Sequence, residues 1–67
     1  MEVRQRLGYN MRRLREAAGH TQEAFADLAH INRTYVSDCE RGTRNPTILV
    51  VEKIAKALDV SPGSLLD

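Results

Sequence analysis

Residues 21–42 read TQEAFADLAHINRTYVSDCERG, and their order of caps, breaks and apolar positions decides the fold. Thr21 stands before Gln22 as an N-cap, where its hydroxyl oxygen accepts from a free N–H of the first helical turn. Phe25, Ala26 and Ala29 then share one face of a helix over 22–29. His30-Ile31-Asn32 breaks the pattern tightly. Asn32 caps a second helix over 33–41, with Val36 and Cys39 as its apolar positions and Gly42 after its end. Phe25, Ala29, Ile31, Val36 and Cys39 are the buried positions of this unit. Ala26 falls where the two helices cross, and a larger side chain there would push them apart.

The same reading extends outward. Upstream, Val3, Leu7, Met11, Leu14 and Ala18 recur at helical spacing and predict a helix over 2–18, closed by Gly19. Downstream comes a loop from Thr43 to Pro46. Thr47 then caps a helix running to Leu58, with Ile48, Val51, Ile54, Ala55 and Leu58 as its core stripe. Asp59 is a tolerable left-handed residue. Ser61 caps a final short helix that opens on Pro62, and Leu65 and Leu66 fold back on the core. Strand signals are absent, so the expected fold class is all-α, with five helices in one domain over residues 1–67.

A chain of 67 residues builds one modest core. Cys39 is the lone cysteine, so no disulfide forms within the chain, and with His20 and His30 it does not make a structural zinc spacing. No metal, cofactor or small-molecule substrate is expected, and stability must come from packed helices and a partner subunit. A lone thiol fits a reducing compartment. The opening residues MEVRQRLGYNMRRLRE carry charge throughout and no apolar targeting segment. The longest apolar run, Ile48 to Val51, is too short for a bilayer. A cytoplasmic protein without a membrane partner is expected. The net charge of +1 does not announce nucleic acid. Its distribution says more: Arg4, Arg6, Arg12, Arg13 and Arg15 crowd the first segment, and Arg33, Arg41 and Arg44 mark a second basic stretch. Solvated helix faces would explain the same charges.

The runs TQEAFA (21–26), INRTYVSDCERGTRNPT (31–47) and KIAKALDVSPGSLL (53–66) closely resemble the Cro/phage-repressor and xenobiotic-response-element helix-turn-helix family. The strongest pieces are Thr-Gln-x-x-x-Ala opening the second helix, Ser-x-x-Glu-Arg-Gly closing the third, and Ala-Leu-x-Val-Ser after the fourth. RTYVSDCERGTRNPT is most similar to the restriction–modification controller proteins. The resemblance covers nearly the whole chain, from Met11 or earlier to Leu66. It implies a five-helix, phage-repressor-like DNA-binding domain whose helix-turn-helix unit spans 22–41. Such a protein regulates transcription from a double-stranded DNA operator, bound as a homodimer. The main departure is His30, where the family commonly has a left-handed Gly. A non-glycine residue in that conformation costs ~1–2 kcal/mol, although His is among the tolerant types.

The resemblance places the N-terminal part of the third helix in the major groove. The base-contacting candidates are then Asn32, Arg33, Thr34, Ser37 and Asp38, and their chemistry fits. The Arg33 fork matches O6 and N7 of guanine, and Thr34 offers a hydroxyl and a methyl suited to thymine. Asp38 can accept from a cytosine amine or repel phosphate in wrong registers; it also reads as a solvated acid. Asn32 also reads as a cap alone, and Arg33 as a surface arginine. Gln22, Tyr35, Arg41, Arg44 and Asn45 are candidates for contacts to the DNA backbone, which fix register without reading sequence. Gln22 opens a helix whose free N–H groups favour phosphate, and Tyr35 also reads as a packing aromatic. The resemblance assigns Arg15 and Glu40 to a structural ion pair joining the first and third helices. Leu49 and Val50 lie off the core stripe of the fourth helix and, with Leu65 and Leu66, are the candidate dimer surface. Scattered surface aliphatics would look the same.

Rival functions are weaker. Ser37, Cys39 and His30 are the only nucleophile or base candidates of note, with no oxyanion loop or phosphate cradle, so an enzyme is not expected. An RNA binder would want an aromatic stacking platform. A protein-interaction or antitoxin-type module on the same fold is the alternative that low net charge favours.

Overall fold

In a computed structural model describing residues 1–67, each helix begins on a side chain placed immediately before it. The helices are α1 (Val3–Ala17), α2 (Gln22–Ala29), α3 (Arg33–Glu40), α4 (Ile48–Leu58) and α5 (Pro62–Leu66). Glu2, Thr21, Asn32, Thr47 and Ser61 are their N-caps, and each side chain accepts a backbone N–H of the first turn. The ends fall within one residue of the predicted ones. Glu2 and Ala18 flank α1 rather than belonging to it, and Arg41 is the C-cap of α3.

The first four helices end alike. Gly19, His30, Gly42 and Asp59 all have positive φ. In each case the next residue's N–H reaches back five residues: His20 to Arg15 O at 3.1 Å, Ile31 to Ala26 O at 3.0 Å, Thr43 to Asp38 O at 3.1 Å and Val60 to Ala55 O at 3.0 Å. These closures satisfy carbonyls that a helix end leaves free. His30 takes the left-handed position at φ 59°, ψ 42°. Its N–H and that of Ile31 turn the chain within three residues.

α1 packs on α3 and α5, α2 on α3 and α4, and α4 on α5. The core between them is Leu7, Met11, Phe25, Ala26, Ala29, Val36, Cys39, Val51, Ile54, Ala55 and Leu65. A fully buried aliphatic or Phe side chain contributes about 1.5–3 kcal/mol, so so small a core leaves little surplus stability. No helix is long and apolar enough to cross a membrane.

Some predicted core positions lie elsewhere. Ile31, Leu14 and Leu58 are half-buried at the core's edge. Ala18 is exposed, because α1 has already ended. Val3 is exposed, and Ile48 is 86% exposed. Periodicity presumes a neighbour along a helix's whole length, but the first turns of α1 and α4 border an open groove lined by Val3, Leu7, Pro46, Ile48, Val51 and Leu66.

Candidate nucleic-acid interface

α2 holds α3 across the His30 turn. Ala26, 2% exposed, sits at the crossing, and Phe25, Ala29, Val36 and Cys39 close the contact behind it. The Cys39 thiol is pushed up to about 11 by burial, so it stays protonated and acts as a small apolar core group.

A second brace joins α3 to α1. Arg15 Nε donates to Glu40 Oε2 at 2.7 Å, and Arg15 Nη2 donates to Oε1 at 3.0 Å. Nη1 donates to the carbonyl of His20 at 2.8 Å, beyond the end of α1. Both side chains are more than nine-tenths buried. The hydrogen bonds to Glu40 raise the Arg15 pKa against the opposing effect of burial. Gln22 joins the same knot, with Nε2 donating to Glu40 Oε1 at 3.1 Å. One amide hydrogen of Gln22 is thereby committed to tying α2 to α3, because Glu40 needs a further donor once it is taken out of water, and the other is left to donate outward.

On the outer face of α3, Arg33 and Thr34 are exposed. Asn32 is exposed too, but its Oδ1 accepts the Thr34 N–H at 2.7 Å, leaving only its amide hydrogens to donate outward. Ser37 and Asp38 are half-buried and engaged. Ser37 Oγ accepts from Arg41 Nη1 at 3.3 Å. Asp38 Oδ1 accepts from Arg41 Nη2, and Oδ2 accepts from Arg44 Nη2 at 3.1 Å. The Arg44 guanidinium lies 4.4 Å from the centroid of the Tyr35 ring, within cation–π range. Burial raises the Tyr35 phenol pKa. Tyr35 is therefore half packed and half a platform for Arg44. Asn45 is exposed in the loop after α3. The structure thus brings Tyr35, Ser37, Asp38, Arg41 and Arg44 into one polar network and leaves Arg33 and Thr34 standing clear of it.

The candidate dimer residues divide. Leu49 is 72% exposed, and Leu66 is partly exposed. Val50 is half-buried against the core. Leu65 is corrected: its side chain is fully buried, so it lines no surface. α5 lies across α1 with Leu65 inward, and Asn10 Nδ2 donates to the Leu65 carbonyl at 2.9 Å.

Two residues that matter here were not singled out in the sequence, and a third was given the wrong environment. Asn10 is buried and ties α1 to the carbonyls of Leu65 and Asp67. Its signal was a polar residue three places after Leu7 and beside Met11, on the inner face of α1. Gly8 lies where α1 meets the end of α3: a Cβ there would stand 2.5 Å from the Cys39 carbonyl oxygen and 2.6 Å from that of Glu40. Its signal was a glycine inside an otherwise good helix. Ile48 was assigned to the core and instead joins the exposed apolar surface.

The helix-turn-helix family model matches residues 11–65, which include Arg15, Gln22, Glu40 and all of α2 and α3. The chain belongs to the helix-turn-helix family. It is 44% identical over 66 residues to Control protein C.BamHI of Bacillus amyloliquefaciens, covering 97% of this chain and 82% of that protein. Its fold is similar to that of the restriction-modification controller protein C.AhdI from Aeromonas hydrophila. The TM-score is 0.88 at 40% identity, covering 92% of this chain and 94% of that one. It is also similar to SinR, the master regulator for biofilm formation, solved in complex with DNA. There the TM-score is 0.87 at 34% identity, covering 91% of this chain and 98% of that one. The resemblance read in RTYVSDCERGTRNPT therefore extends to whole controller proteins.

Proposed function

We infer that this chain is a sequence-specific, double-stranded DNA-binding transcriptional regulator of the controller type. The observation that carries the reading is α3 itself. It is an exposed helix beginning with the free side chains Arg33 and Thr34, fixed from behind by a buried ion pair, and flanked at its far end by Arg41 and Arg44. A helix of this width fits the major groove of B-DNA. In it, Arg33, Thr34, Ser37, Asp38 and the amide of Asn32 face base edges, while Tyr35, Arg41, Arg44 and Asn45 lie toward the sugar–phosphate backbone. The free N–H groups at the start of α2 add a phosphate site, with Gln22 contributing its remaining amide hydrogen.

Two copies act together. Ile48 and Leu49 are the most exposed large aliphatics on α4, and Leu66 and Val3 are exposed near them. So much apolar surface on so small a domain supports a two-fold homodimer, with Leu49, Val50 and Leu66 in the interface and Ile48 added to it. The bacterial source of the similar proteins, whose DNA lies in the cytoplasm, supports a cytoplasmic location.

Selection of bound duplexes from a random pool by the purified chain tests the reading. The expected product is an inverted repeat whose half-sites lie about one helical turn apart, ~34 Å. A helical, folded chain that enriches no sequence at low salt would overturn it.

A further inference from the structure

The two arginines best placed to clamp a phosphate backbone are both held by one carboxylate. Asp38 lies on α3 as the last of the candidate base-reading residues, one turn before Arg41. Each of its oxygens takes a different guanidinium, Oδ1 that of Arg41 and Oδ2 that of Arg44. The Asp38 side chain is 19% exposed, whereas those of Arg41 and Arg44 are 63% and 44% exposed. The carboxylate is sheltered and the cations face outward. Its position is fixed from the backbone side as well: the Asp38 carbonyl accepts both the N–H and the hydroxyl of Thr43, each at 3.1 Å. Tyr35 supports Arg44 from beneath. Arg33, at the other end of the helix, has no such counter-ion.

We propose that Asp38 is a specificity-determining residue that withholds Arg41 and Arg44 from the phosphate backbone until a base-edge donor engages its own carboxylate. The proposal rests on the DNA-binding reading above. Its physical basis is an exchange of partners. A phosphate can take either guanidinium only by displacing the carboxylate or by sitting beside it as a like charge. In the first case Asp38 is left in a groove wall without a donor, which is costly for a desolvated charge. An exocyclic amine of cytosine supplies the missing donor. With that amine in place the carboxylate keeps a partner, and both arginines can turn to phosphates. On unrelated sequence no donor stands there, and the arginines stay with Asp38. The backbone clamp, ordinarily blind to sequence, thereby becomes conditional on a base.

The test measures the parent, Asp38→Asn and Asp38→Ala against two duplexes of equal length, one selected by the parent from a random pool and one of random sequence, at several salt concentrations. Freed arginines should tighten binding to the random duplex by about tenfold and steepen its salt dependence by about one to two units of slope. The selected duplex should gain less, so the ratio between the two should fall by about tenfold. Sequences reselected with Asp38→Asn should lose a cytosine preference at one position per half-site. In an Arg41→Gln/Arg44→Gln background, Asp38→Asn should bring no gain. Asparagine keeps one acceptor and the side-chain shape, alanine removes both, and melting curves show whether each variant is folded.

Unchanged affinity and slope on random DNA would overturn the inference. So would equal weakening on both duplexes, which would make Asp38 a mere support for the arginines. A gain that persists without Arg41 and Arg44 would replace it by direct repulsion between Asp38 and phosphate. A folded parent that binds neither duplex removes the DNA-binding reading and this inference together. Parental binding with an unaltered variant ratio removes the inference alone.

Discussion

Arg33 and Arg44 carry the same charge in different company. Arg33 opens α3, exposed and without a carboxylate partner, whereas Arg44 lies on Tyr35 and pairs with Asp38. Removing each should leave a different signature. Arg33→Ala should weaken binding to the selected duplex and flatten preference at one base pair per half-site, a loss of ~1–3 kcal/mol in discrimination. Arg44→Ala should lower affinity for the selected duplex and reduce its salt slope by about one unit, with preferences among single-base variants preserved at every position except the cytosine that engages Asp38. Titrations against single-base variants at several salt concentrations separate the two. If Arg33→Ala weakens every variant equally, Arg33 is a backbone clamp. At this scale the caps of α2 to α5 were legible from sequence, because a cap interacts with its own next turn. The partners of Asp38 were not, since Arg44 reaches it only through the loop geometry after α3.

Between elements, the decisive contact is α1 against the end of α3, and two features hold it. Gly8 allows the close approach. Ala in its place would improve helix propensity by about 1 kcal/mol, but its Cβ would press on two backbone carbonyls that cannot rotate away. Overpacking of that kind costs ~1–3 kcal/mol or more, so Gly8→Ala should lower the melting temperature; an unchanged or higher one would show that α1 can shift freely. The Arg15–Glu40 pair does the rest. Glu40→Ala leaves Arg15 buried without its carboxylate and Gln22 without its acceptor, at ~3–5 kcal/mol. Typical stability is about 0.05–0.15 kcal/mol per residue, so this variant should lose a large share of its stability and melt well below the parent. Replacing both partners by apolar residues, Arg15→Met with Glu40→Leu, should be milder. Thermal melts decide, and a Glu40→Ala melt indistinguishable from the parent would mean the pair contributes nothing. The apolar face of α1 was readable from its period. Which residue of α1 touches which residue of α3 was not, because the crossing is set by packing rather than by spacing along one helix.

The whole molecule leaves Ile48 and Leu49 bare at the start of α4. Leu49→Asp and Ile48→Asp should weaken self-association and DNA binding together, with little change in the melt of the isolated subunit. Sedimentation alongside binding to one and two half-sites measures both. A parent that is monomeric at DNA-binding concentrations, and that binds one half-site as tightly as two, would rule out the dimer. The two leucines of α5 illustrate the limit of pattern at this scale. Leu65 and Leu66 are adjacent and chemically identical, yet one is sealed in the core and the other reaches the surface. Helical geometry separates neighbours by about 100°, and only the seating of α5 on α1 selects which one turns inward.

By itself the sequence determined the five helices, the caps of α2 to α5, the break at His30, which the resemblance makes left-handed, and the inner faces of α2 and α3. Each of these is settled by interactions within a few residues: a side-chain oxygen meeting the next turn's N–H, a backbone angle, or an apolar period. Tertiary structure decided the rest. It exposed Ile48, buried Leu65, committed Gln22 to Glu40, demanded glycine at position 8, and set Asp38 between Arg41 and Arg44. The physical reason is the same throughout. Burial and partner choice depend on where a helix ends relative to its neighbours, and that comes from packing several elements at once.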